Sequence, residues 1–152
     1  MQNYGKQIIA KKRAEFIQQI RNFFSKKNFL EVETPIMVTI PGMEPHLTPF
    51  ETTIISPFNK SGGKVFLNHS PELQMKKLLG ANFGNIFIIT KVFRNTEIGG
   101  NLHSPEFTML EWYREKADYL DLMKDCENLL TNLIPSKKLT YKLLLFVPVA
   151  IY

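Results

Sequence analysis

A chain of 152 residues with 44% hydrophobic and 22% charged side chains has the size and apolar content of one globular domain, which excludes an intrinsically disordered polypeptide. The single cysteine, Cys126, excludes an internal disulfide and a cysteine zinc cluster and suits a reducing compartment. The net charge of +5 is concentrated near the start, where residues 1–30 carry Lys6, Lys11, Lys12, Arg13, Arg21, Lys26 and Lys27 against Glu15 alone. Such a face can draw RNA or an acidic protein, or can be the solvated side of a helix. The N-terminus has no apolar signal segment, and the longest apolar run, Leu143 to Tyr152, is too short to span a bilayer. A cytoplasmic protein without membrane association is expected.

From Lys6 to Asn28 there is neither Gly nor Pro. Ile9, Phe16, Ile17, Ile20, Phe23 and Phe24 recur at helical spacing, which predicts an amphipathic helix running through Asn28. Residues 29–34 read as a short strand halted at Pro35, because proline has no N–H to give to a sheet ladder. Residues 39–63 read as loops around a strand at residues 51–56, and residues 64–68 as a further strand. Ser70 is placed as an N-cap, with Pro71 first in a helix that runs to Leu79 and is punctuated by Gly80 and Gly84. Residues 86–93 and 106–113 read as two strands joined by a polar loop, a long-looped hairpin. Asp118 caps a last helix, whose stripe of Tyr119, Leu122, Met123, Cys126, Leu129, Leu130 and Leu133 makes Cys126 a core residue. This order predicts an α+β domain with a largely antiparallel sheet flanked by helices.

The hairpin is the informative segment. Strand alternation puts Phe107, Met109, Glu111 and Tyr113 on one face and Glu106, Thr108, Leu110 and Trp112 on the other. A carboxylate among large apolar groups is costly to bury without a cationic partner, and a bound ammonium would serve Glu111. At the other end Arg94, Asn95, Thr96, Glu97, His103 and Ser104 form a mix suited to a polyphosphate, since the guanidinium fork matches phosphate oxygens bidentately. These features alone leave open an ordinary ion pair between Arg94 and Glu111. His46 and His69 read as satisfied or solvated imidazoles without a catalytic role, and no metal site is visible.

The run from Phe29 to Met37, the sequence Val92-Phe93-Arg94-Asn95, the strand from His103 to Arg114 and the stretch Ser70 to Leu79 resemble the catalytic domain of class II aminoacyl-tRNA synthetases. The first matches motif 1, the hairpin matches motif 2 of the lysine branch, and the likeness runs from about residue 10 to 133. The resemblance implies a class II antiparallel sheet flanked by helices, of which residues 1–134 form the N-terminal part and 135–152 a divergent tail. It implies that Arg94 is the catalytic arginine at the α-phosphate, and that Phe107 stacks on adenine with Asn95, Thr96, Glu97, His103 and Ser104 around ATP. It further implies that Glu111 and Tyr113 read the lysine side-chain ammonium, and that Glu72, with Ser70 and Pro71, holds an amino group. A homodimer through the motif 1 region is expected.

Three positions depart from the pattern. Thr96 stands where the family has a glutamate, with Glu97 one residue on, and the loop between Asn95 and His103 is longer than the family's by one residue. Ser104 stands where the branch usually has asparagine. The glycine-rich motif 3, with its ATP-gripping arginine and the acidic residues for Mg2+, is not among these residues, so the Mg2+ ligands are expected in a further C-terminal part and the chain alone is expected to be inactive.

Pro41 to Thr52 and the ending Glu111 to Arg114 look more like the stand-alone paralogues that lysylate elongation factor P. The expected activity is therefore ATP-dependent activation of lysine or β-lysine as an adenylate and transfer to a lysine of elongation factor P. A lysine–tRNA ligase core and a non-catalytic remnant that only dimerises or binds ligand stand as alternatives.

Overall fold

A continuous β-branched and aromatic run at 86–93 and an alternating run at 106–113 build the longest strand pair among the described residues. The computed structural model describes residues 2–55, 57, 62–95 and 103–134. The elements are α1 (Gln2–Lys26), β1 (Leu30–Glu31), β2 (Met37–Val38), β3 (Phe50–Thr53), β4 (Lys64–Leu67), α2 (Glu72–Gly80), β5 (Ile86–Phe93), β6 (Glu106–Tyr113) and α3 (Tyr119–Leu133). The α+β class is as expected, with the strands divided between two three-stranded sheets, β1-β5-β6 and β2-β4-β3. The tail at 135–152 lies outside the described residues, and no helix among those described is long and apolar enough to cross a membrane. The chain divides into two units, one of Glu31–Tyr113 and one of Met1–Leu30 with Arg114–Tyr152.

In the Glu31–Tyr113 unit, β5 and β6 pair antiparallel in an unbroken register from Ile86 opposite Tyr113 to Phe93 opposite Glu106. Directly opposed residues point to the same face, so Ile86, Ile88, Thr90 and Val92 share a surface with Tyr113, Glu111, Met109 and Phe107. Val32, Met75, Ile86, Ile88 and Tyr113 form a buried cluster, joined by Leu78 and Leu79 of α2. On the opposite face Lys91 reaches diagonally to Glu106 at 2.8 Å. β4 carries β2 on one side and β3 on the other, both antiparallel. The motif 1 strand is shorter than read from the sequence, with pairing confined to Leu30–Glu31 and a further bond from the Val32 N–H to the Phe87 carbonyl at 2.9 Å.

In the other unit, α1 ends before Asn28, which takes a left-handed conformation at φ 60. The Asn28 N–H donates to the Ser25 carbonyl and the Phe29 N–H to the Phe24 carbonyl, each at 3.0 Å. This closure satisfies the last carbonyls and brings the Phe24 and Phe29 rings edge to face at 5.2 Å. The predicted stripe holds only toward this end. Ile20, Phe23 and Phe24 are buried, whereas Ile9 and Phe16 are 69% and 47% exposed. In α3, Asp118 forms a reciprocal capping box with Asp121. Leu122, Cys126 and Leu129 are buried as expected; Tyr119 is exposed, and Asp125 is buried in its place against Lys27 at 2.7 Å.

Candidate functional site

The site is built where β4 runs into α2 beside the β5–β6 hairpin. Asn68 is locked to the strand ends through its N–H to the Ile36 carbonyl at 2.8 Å and its carbonyl to the Phe93 N–H at 2.9 Å. Its side-chain oxygen accepts from the Ser70 N–H at 3.2 Å, turning the chain into α2. Pro71 is buried and its carbonyl accepts from the Gln74 and Met75 N–H groups, so it starts the helix and brings no polar group to the site. The helix begins at Glu72 with Pro71 in the cap position, one residue later than read from the sequence. The Ser70 hydroxyl still accepts from the Glu72 N–H at 3.2 Å.

At one end of the site the Tyr113 hydroxyl donates to Glu111 Oε1 at 2.7 Å, and the Ser70 hydroxyl to Glu111 Oε2 at 3.3 Å. Burial pushes the Glu111 carboxyl above its ordinary value; the two hydroxyls pull it back, nearby Glu72 raises it and Lys76 lowers it. The polar contacts of Glu111 among the described residues are thus two neutral hydroxyls and no ion pair with Arg94. Glu72, expected to hold an amino group, is paired with Lys76 at 2.7 Å. Lys76 was not singled out from the sequence, although its place four residues after Glu72 puts the two on one helix face.

At the other end Arg94 lies against the Phe107 ring, with the guanidinium carbon 5.2 Å from the ring centroid. Its N–H donates to the Pro105 carbonyl at 2.9 Å, and its side-chain Nε to the His69 carbonyl at 3.4 Å. The Asn95 N–H donates to the Thr48 carbonyl at 3.0 Å. His103 and Ser104 are exposed just before β6, and Thr96 and Glu97 lie outside the described residues. Phe107 and Glu111 are four residues apart on one strand, a separation of roughly 13 Å at about 3.3 Å per residue. The arrangement offers an aromatic ring and a guanidinium at one end, and a half-buried carboxylate set for a cation at the other.

The antiparallel pair β5–β6, with Arg94 directly after β5 and with Phe107, Met109, Glu111 and Tyr113 alternating along one face of β6, is the arrangement expected of a class II synthetase-type domain. The family of tRNA synthetases class II (D, K and N) matches residues 1–144, and the chain belongs to it. Among curated proteins the chain is similar to elongation factor P–(R)-beta-lysine ligase of Avibacterium paragallinarum, 46% identical over 133 residues. It is similar also to the proteins of that name from Haemophilus influenzae, 43% identical, and Salmonella arizonae, 42% identical, each over 134 residues. In all three the match covers 86% of this chain and 41% of the relative, so the chain spans well under half the length of these proteins.

Proposed function

We propose that this chain carries the amino-acid-reading face and the first phosphate contact of a cytoplasmic, ATP-dependent ligase, which activates lysine or β-lysine and passes the acyl group to a lysine of elongation factor P. The observation that carries this reading is Glu111, a half-buried carboxylate held by the hydroxyls of Ser70 and Tyr113 and raised by burial. A substrate ammonium supplies the missing counter-charge. With its side-chain ammonium there, the substrate extends along β6 and presents its carboxylate toward Arg94. A carboxylate oxygen attacks the α-phosphorus of ATP, pyrophosphate leaves, and the Arg94 guanidinium offsets the charge that builds on the phosphate. Phe107 stacks on adenine, with Asn95, Thr96, Glu97, His103 and Ser104 around the nucleotide. The amine of the acceptor lysine then displaces AMP from the adenylate.

Glu72 takes the substrate's second amino group, in exchange with Lys76, its present ion-pair partner. Among the described residues no group of three or more His, Cys, Asp and Glu side chains could hold a metal ion. The names of the relatives favour elongation factor P as acceptor. The basic face of α1 favours a second reading, a lysine–tRNA ligase. A homodimer through α1 and the Pro35 strand belongs to either.

Calorimetric titration of the chain with lysine tests the central assignment. Glu111→Gln is expected to weaken lysine binding by about 10- to 100-fold, the worth of a charge-assisted hydrogen bond. Trp112→Phe, on the opposite face, should leave it unchanged. Equal affinities in the parent and Glu111→Gln contradict the reading. Given labelled lysine or β-lysine, ATP, tRNA and elongation factor P together, a version completed with motif 3 is expected to label the protein acceptor; label on tRNA alone establishes the second reading.

A further inference from the structure

We propose that His69 is a positioning residue for the nucleotide end of the site: its imidazole pins the 42–48 segment beside Arg94, and its own carbonyl receives the Arg94 side chain. This rests on the reading of Arg94 as a phosphate contact. The His69 side chain is fully buried, and its Nε2 lies 3.0 Å from the Gly42 carbonyl oxygen. A carbonyl can only accept, so Nε2 carries the proton in this contact. The other ring nitrogen, Nδ1, is buried without a hydrogen bond among the described residues, which leaves Nε2 as the working atom of the ring.

Gly42 fits this contact because it has no side chain. A Cβ there would stand 2.5 Å from His69 Cε1 and 2.8 Å from Nε2, so the segment closes on the ring only with glycine. Six residues on, the Thr48 carbonyl takes the Asn95 N–H at 3.0 Å. The 42–48 segment is therefore fastened at two points, the His69 imidazole and the backbone directly after Arg94. The guanidinium is itself steered by the His69 carbonyl at 3.4 Å. Ring and carbonyl of one residue thus set the segment and the arginine with respect to each other. The hydrogen bonds that hold Glu111, from Ser70 and Tyr113, use neither the ring nor the carbonyl of His69.

Three variants separate this role from simple core packing: His69→Leu removes the donor, Gly42→Ala pushes on the ring, and His69→Gln returns an N–H donor at similar reach. Each is read by hydrogen exchange at the Asn95 amide and by titration with a non-hydrolysable ATP analogue and, separately, with lysine. His69→Leu and Gly42→Ala are expected to lower Asn95 protection and nucleotide affinity by about tenfold each, the worth of one hydrogen bond. Lysine affinity should fall much less than nucleotide affinity, because the His69 ring and carbonyl make no bond to Glu111 or its two hydroxyls, and His69→Gln should restore most of both losses. Unchanged Asn95 protection in His69→Leu, a Gln variant as impaired as Leu, or a parallel fall in lysine affinity overturns the proposal. Nucleotide binding by the parent that is indifferent to His69→Leu overturns the proposal alone. A parent chain that binds lysine but no nucleotide overturns the reading of Arg94, and the positioning role with it.

Discussion

Glu111 shows how one side chain ties affinity to stability. Burial raises its carboxyl above the ordinary value, so the folded chain keeps that proton to a higher pH than the unfolded chain does. The stabilisation carried by the protonated form is complete below the unfolded value and is lost as pH rises through the folded one. At neutral pH the ionised group therefore works against the fold. Glu111→Gln is expected to melt at or above the parent at pH 7, with the difference shrinking toward acid; a clear drop in melting temperature at pH 7 would contradict burial as the leading cause. Lysine affinity should fall on acidification from a higher pH than an ordinary carboxylate would give. Strand period alone made Glu111 legible, because it set a carboxylate among apolar neighbours. Of the two hydroxyls that hold it, Tyr113 was legible from the same alternation, whereas Ser70 was legible at the site only through the resemblance, since it lies forty-one positions away. His69 read as bland because nothing in its neighbourhood announces the distant Gly42.

Elements were legible where a local period governs them. β5 falls where the continuous β-branched and aromatic run puts it, and β6 where alternation does. The helix ends were less so, because Asn28 and Asn82, both left-handed, close α1 and α2 at positions where a sequence reading looks to glycine. The Asp118 box was visible as a polar residue ahead of an apolar stripe, and Asp118→Ala is expected to cost about 1 kcal/mol in urea denaturation. Asp125 escaped because an acidic residue on an apolar face makes sense only with its partners known. Lys27 lies 2.7 Å away and Arg114 3.6 Å, both 28% exposed, while the aspartate side chain is 2% exposed. Removing Lys27 strands a buried carboxylate, whereas removing Asp125 leaves two cations with access to water. Lys27→Met is therefore expected to cost about 3 kcal/mol, more than Asp125→Asn, in the same denaturation; the reverse order would place the cost elsewhere.

At the scale of the molecule the α+β class was legible from the order of elements. The division into two units was not, since α1 and α3 are joined across the sequence by contacts such as Lys27–Asp125 that no periodicity encodes. The outward half of α1, with Ile8, Ile9 and Phe16 at 40%, 69% and 47% exposed, carries apolar surface that a second copy would cover. The chain, 17.6 kDa as a monomer, is expected to sediment as a dimer and to return to a monomer in Phe16→Glu; a monomeric parent at every concentration would rule this out. The groups proposed to read lysine, with Arg94, Phe107 and the His69–Gly42 contact, all fall in the single stretch Glu31–Tyr113. Synthesis runs from the N-terminus, so this stretch has all its residues once Tyr113 has left the ribosome, and it can begin to fold before α3 has emerged.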